Sequence, residues 1–184
     1  MLYIVTALKP EAQAFVEKYK LQKSRLGDFT LFRNADMMLI VSGLGVENAM
    51  HATQTLINHF DITDEDIYIN VGICAADKQY AIGELIEVGS ISYNGQIYKI
   101  KDDEYPIITC LDEEADEAKY EIVDMESFGF FYAVKHSPAI KNIFVFKVVS
   151  DHFQPNNVTK DGTKSLLFNV IDGINERIKT KVGI

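Results

Sequence analysis

Short apolar runs alternate with longer amphipathic stretches along the chain, the pattern of strands and helices taken in turn. Residues 2–7 form an apolar, β-prone run, and Pro10 then opens an amphipathic stretch through Lys20, which predicts strand, short loop and helix. Residues 29–32 and 37–42 predict two more strands, and Gly43-Leu44-Gly45 leads into a helix over about 46–60. A strongly apolar strand at 67–71 ends at Gly72, and shorter strands are expected at 85–88 and 90–93. Asn94-Gly95 between Tyr93 and Gln96 predicts a two-residue hairpin, because both residues tolerate positive φ, with its second strand at 96–100. Strands at 107–110, 122–125 and 143–150, with helices after Met125 and over about 161–179, complete the pattern. Alternating strands and helices with one antiparallel hairpin predict an α/β fold whose mixed, mostly parallel sheet is covered on both faces. No repeat, low-complexity tract or linker interrupts it, so residues 1–184 read as one domain.

Charge narrows the partners. The formal net charge is −9 and the only arginines are Arg25, Arg33 and Arg177, which excludes a nucleic-acid backbone and favours a small neutral or cationic ligand. The first apolar run has no basic region ahead of it and is too short to span a bilayer, so a cytoplasmic protein without a membrane anchor is expected. Cys74 and Cys110 lack metal-ligand spacing and read as reduced core thiols.

In open α/β sheets ligands collect beyond the carboxyl ends of strands, which singles out four places. They are Glu11 after the first strand, residues 43–48 after the third, Asp124 to Glu126 where a strand runs into a helix, and Ser150-Asp151 closing an apolar run. A buried ionised carboxylate costs roughly several kcal/mol unless it is paired, so Glu126 needs a partner. Two readings stay open for it: a polyhydroxylated ligand, or the backbone N–H groups of the helix it begins. Gly43-Leu44-Gly45 has Asn48 in place of a third glycine and no Gly-Lys-Ser/Thr after it. It is therefore neither a dinucleotide fingerprint nor a phosphate loop, though N–H groups there could hold an anion, a hydroxyl or a water. None of His51, His59, His136 and His152 sits in a nucleophile motif, and only His152 adjoins an acid. The acidic run 112–117 reads as a solvated loop or short helix, with a metal site as the alternative.

Taken in order, these places resemble the purine nucleoside phosphorylase/nucleosidase superfamily, most closely the methylthioadenosine/S-adenosylhomocysteine nucleosidases and futalosine hydrolases. The resemblance rests on Val5-Thr6-Ala7-Leu8-Lys9-Pro10-Glu11, Ser42-Gly43-Leu44-Gly45-Val46-Glu47-Asn48-Ala49, Asn70-Val71-Gly72, Val123-Asp124-Met125-Glu126-Ser127 and Val149-Ser150-Asp151, and it runs nearly end to end. It implies a three-layer α/β/α sandwich around a mixed sheet, a homodimer, a small nucleoside substrate, and neither metal nor organic cofactor. It also implies roles: Glu126 accepts hydrogen bonds from the ribose hydroxyls, Met125 packs on the sugar, Asp151 protonates the purine, and Glu11 orients and deprotonates water. Gly43, Gly72 and Ile73 would border the substrate. Lys147, expected on the strand face of Asp151, is the nearest cation, where the nucleosidases carry arginine.

These roles suit the chemistry. Breaking an N-glycosidic bond makes the sugar positive and the base negative, so the site needs anionic groups by the ribose and a proton donor at the base. The donor needs burial or neighbouring carboxylates to raise its pKa, whereas the ribose-binding acid is expected to stay ionised. No arginine lies beside the glycine turn or residues 70–76, which favours water over phosphate as nucleophile. A phosphorylase and a nucleoside-binding homologue are the alternatives. Ile73-Cys74-Ala75-Ala76 is bulkier than the family's small turn, and the segment 98–121, where relatives build the loop that grips the purine, is short.

Overall fold

Strands with apolar residues on both faces must be covered on both, and four of them make the centre of this fold. The computed structural model describes residues 1–101, 104–115 and 117–183. In chain order its elements are β1 (Leu2–Thr6), α1 (Lys9–Tyr19), β2 (Gln22–Leu26), β3 (Phe29–Arg33), β4 (Met37–Val41), α2 (Val46–His59), β5 (Ile67–Ala76), β6 (Leu85–Glu87), β7 (Ser90–Tyr93) and β8 (Gln96–Lys99). They continue as β9 (Ile107–Cys110), β10 (Ile122–Asp124), α3 (Ser127–Lys135), β11 (Asn142–Asp151) and α4 (Lys160–Val182). On one face Ile4, Leu39, Ile69 and Phe146 pack under α1 and α4, and on the other Val5, Ile40, Tyr68 and Val145 pack under α2 and α3. The result is the three-layer α/β/α arrangement around a mixed sheet. No helix among the described residues is long and apolar enough to cross a membrane.

The sheet runs β2-β3-β4-β1-β5-β10-β9-β7-β8, and β11 pairs with both β5 and β6. Parallel pairing holds β4, β1, β5 and β11 together, while β2-β3, β3-β4, β5-β10, β6-β11 and β7-β8 are antiparallel. Strand β9 is also parallel to both β10 and β7, so among the described residues the sheet is mixed rather than mostly parallel, with five parallel and five antiparallel pairings. The Asn94-Gly95 hairpin forms as predicted, with φ of 48° and 76° and Tyr93 opposite Gln96. Strand β2, Gln-Lys-Ser-Arg-Leu, carries no apolar alternation and was not expected. It is an exposed edge strand, where Lys and Arg discourage further pairing.

Strand β5 does not stop at Gly72 but continues to Ala76, passing the end of β1 and picking up β10. Its length carries residues 73–75 to the edge where β1, β4 and β11 also end. Above that edge α2 and α3 cross at Gly129, where an added Cβ would lie 2.0 Å from the Val46 carbonyl oxygen. Backbone cannot yield there as a flexible side chain can. Gly129→Ala is expected to cost about 3 kcal/mol of stability, measured by urea unfolding, because it forces the two helices apart.

Candidate active site

Glu11 is fixed by the way α1 begins. Pro10 sits in the first turn, and the Glu11 carboxylate reaches back so that Oε2 accepts the N–H of Ala7 at 3.0 Å and of Leu8 at 2.9 Å. Its Oε1 accepts the N–H of Ile73 at 3.0 Å, which ties α1 to β5. The side chain is buried, and burial pushes its pKa up against the opposing pull of these N–H groups and of Lys147. Gly72 makes the approach possible: a Cβ there would stand 2.8 Å from Glu11 Oε1.

The two acids at the end of β10 divide their work. Asp124 satisfies the start of α3, its Oδ2 accepting from Ser127 N at 2.8 Å and Glu126 N at 3.3 Å, and its Oδ1 from Ser127 Oγ at 2.6 Å. The helix-terminus role left open for Glu126 thus belongs to Asp124. Glu126 turns across to the β4-α2 turn, where its Oε1 accepts the Gly45 N–H at 3.0 Å. That turn holds Gly43 at φ 87° and Gly45 at φ 95°, conformations that favour glycine, and the anion it binds is the protein's own. Gly43 N–H is not free for a ligand, since it donates to the Ala7 carbonyl at 3.0 Å. Burial, with help from Asp124 and Glu11, raises the Glu126 pKa to about 7 despite Lys147 and the Gly45 N–H. The acid expected to stay ionised at the ribose thus has a raised pKa.

Asp151 is placed by a bulge. The register matches Val149 with Cys74 and Asp151 with Ala75, so Ser150 is an extra residue and the alternation of β11 reverses beyond it. Asp151 therefore does not share the strand face of Lys147. Its Oδ2 accepts the Gln154 N–H at 2.8 Å, and its Oδ1 lies 2.6 Å from Ser150 Oγ, which is also 3.1 Å from the Cys74 carbonyl oxygen. A hydroxyl has one proton. Ser150 donates it either to the Cys74 carbonyl oxygen or to the Asp151 carboxylate.

Glu11, Ile73, Met125, Glu126 and Asp151 all line one cavity of about 310 Å³. Lys147 does not: its ammonium lies beneath, 2.7 Å from Asp124 Oδ2, with the side chain 1% exposed. Gly72 and Gly43 are also absent from its wall, and Gly43 borders the adjacent groove beyond Leu8 and Leu44. Sequence reasoning passed over Leu8, Leu44, Leu111 and Val158, and over Glu113 and Glu114 of the acidic run, all of which complete the wall. Asp116 of that run lies outside the described residues. No metal-holding group of three or more His, Cys, Asp or Glu occurs among the described residues. His152 points elsewhere, its Nε2 2.9 Å from the Tyr80 carbonyl oxygen, and both cysteines are free and buried.

Among the described residues the wall carries six acids, Glu11, Glu113, Glu114, Asp124, Glu126 and Asp151, and no Lys, Arg or His. Such a site repels anions and suits a hydroxylated ligand that becomes positive as it reacts.

No family model and no curated protein matches the sequence. Solved structures do match. The 5'-methylthioadenosine/S-adenosylhomocysteine nucleosidase of Helicobacter pylori, in complex with butyl-thio-DADMe-Immucillin-A, superposes with a TM-score of 0.78 at 12% identity, over 97% of each chain. The corresponding nucleosidase of Neisseria meningitidis with methylthio-immucillin-A gives 0.74 at 14% identity, over 96% of this chain and 97% of that one. Helicobacter pylori futalosine hydrolase gives 0.73 at 12% identity, over 94% and 97%. From β1 to α4 the chain thus shares the fold of these nucleosidases and of futalosine hydrolase.

Proposed function

We propose that the protein is a nucleosidase that uses water to cleave the N-glycosidic bond of a purine ribonucleoside, of the methylthioadenosine, S-adenosylhomocysteine or futalosine kind. The observation that carries the reading is the convergence of Glu11, Glu126 and Asp151, from three separate parts of the chain, on one cavity. Glu126 accepts hydrogen bonds from the ribose hydroxyls, with Met125 packed against the sugar and Ile73 beside it. Asp151 delivers a proton to the purine as the bond to C1′ breaks, so the base leaves neutral. Glu11, with a lone pair of Oε1 not engaged by Ile73, orients water under C1′ and takes its proton. Water is the nucleophile because, among the described residues, no cationic side chain lines the wall to hold a phosphate dianion. Residues 1–184 act as a single domain, in the cytoplasm, as a homodimer; sedimentation equilibrium of the purified protein checks the last point.

The test is a Glu126→Gln variant assayed by chromatography of released base. The parent enzyme cleaves ribonucleosides in preference to their 2′-deoxy analogues, and the variant loses most of that preference. Undiminished discrimination in the variant contradicts the assignment.

The same variant has a signature without substrate. The Glu126 pKa is raised in the folded protein from 4.5 to about 7, so the native state binds this proton more tightly than the unfolded chain does. The favourable contribution is complete below pH 4.5 and is lost as pH rises through about 7. Thermal unfolding is therefore expected to show Glu126→Gln more stable than the parent at pH 8, with the gain gone in acid.

A further inference from the structure

The strongest charge arrangement outside the cavity wall lies directly beneath it. Lys147 is buried, and its ammonium is 2.7 Å from the same Asp124 oxygen that accepts the N–H groups of Glu126 and Ser127. One carboxylate therefore joins β11 to the start of α3, the segment that presents Glu126. On the other side, a Cβ at Gly72 would lie 3.5 Å from Lys147 Nζ and 2.8 Å from Glu11 Oε1, so both groups close on one bare α-carbon. Lys147 thus stands between the mounts of Glu11 and Glu126 without touching the cavity.

We infer that Lys147 is a positioning residue: through Asp124 it fixes the first turn of α3, the segment that presents Glu126, and it puts a buried positive charge beneath the acids of the cavity wall. The inference rests on the nucleosidase reading for its consequence in catalysis, but not for its physical test. The groups that face Lys147 are Asp124 from β10, Glu126 at the start of α3, Glu11 from α1, Cys74 from β5 and Cys110 from β9. Burial pushes both thiols up and keeps them neutral, so they add no charge. Three carboxylates then share one ammonium. Removing the ammonium disfavours ionised Glu126, whereas neutralising Asp124 removes a competing anion and favours it.

Two variants therefore move Glu126 in opposite directions. In protein labelled with ¹³C at the glutamate carboxyl carbons, with Glu126→Gln to assign the resonance, Lys147→Met is expected to raise the Glu126 midpoint by about one pH unit or more. Asp124→Asn, which keeps an oxygen for the Ser127 N–H, is expected to lower it. The acid limb of kcat/KM follows the same two directions. A residue that only filled space would not split the variants by sign, and unchanged or same-direction midpoints overturn the inference. Where Lys147→Met does not fold, Lys147→Gln, which keeps a donor for Asp124 but carries no charge, decides instead, and is likewise expected to raise the Glu126 midpoint. Midpoints that move as expected in a protein that cleaves no nucleoside would defeat the nucleosidase reading and leave the role of Lys147 standing.

Discussion

An Asp151→Asn variant is expected to lose at least about a hundredfold in kcat on purine nucleosides, with its fold intact. The asparagine side chain can still accept the Gln154 N–H that now binds Asp151, so the bulge and the following turn keep their anchor. What it cannot do is pass a proton to the departing base. A purine anion is a poor leaving group, and the proposed mechanism relies on Asp151 to neutralise it as the bond to C1′ lengthens. A substrate with an activated leaving group needs no such proton. The p-nitrophenyl riboside therefore separates chemistry from structure: the variant is expected to hydrolyse it nearly as well as the parent enzyme does. Equal losses on both substrates would mean that Asp151 maintains the shape of the site, and equal retention on both would remove it from the mechanism.

Glu11→Gln is the second large effect, again at least about a hundredfold in turnover. Here stability falls too. The three N–H groups of Ala7, Leu8 and Ile73 all point at the carboxylate, and an amide must present its own NH2 to at least one of them. That conflict costs about 1–3 kcal/mol, read by urea unfolding. The catalytic part is isolated with azide, a nucleophile that needs no deprotonation. It is expected to restore base release in Glu11→Gln, with ribosyl azide as the sugar product, and to do nothing for Asp151→Asn. Failure of azide to rescue would show that Glu11 serves the site by holding β5 against α1 rather than by activating water.

The parts of this site that depend on local sequence were legible, and those that depend on long-range approach were not. The apolar runs of β1, β4, β5 and β11 announce strands buried on both faces, and the positive-φ pair Asn94-Gly95 announces its hairpin, because both signals lie within a few residues. Strand β2 gave no such signal, since an exposed edge strand has no apolar face to show. Gly72 was read as the end of β5, whereas its missing side chain leaves room for Glu11 while the strand continues. The Ser150 bulge is likewise invisible in a pattern of apolar residues, yet it decides which way Asp151 points. Glu126 was rightly placed where a buried acid needs a partner, but Gly45 is 81 residues away and sequence could not name it. Lys147 was identified as the nearest cation and found not in the wall but under it, paired with the acid that starts α3. Glu113 and Glu114 were grouped with a solvated run, and they are indeed exposed, yet they stand at the rim of the cavity because β9 ends beside it.

The most direct test of the account follows the sugar. Purified protein is incubated in ¹⁸O-water containing phosphate, with a panel of purine ribonucleosides bearing either a free 5′-hydroxyl or a 5′-thio substituent. The base is followed by chromatography and the sugar by mass spectrometry. The account predicts free purine together with a free sugar that carries ¹⁸O at C1, and no sugar phosphate. An unlabelled sugar 1-phosphate, or a panel recovered intact, would contradict it.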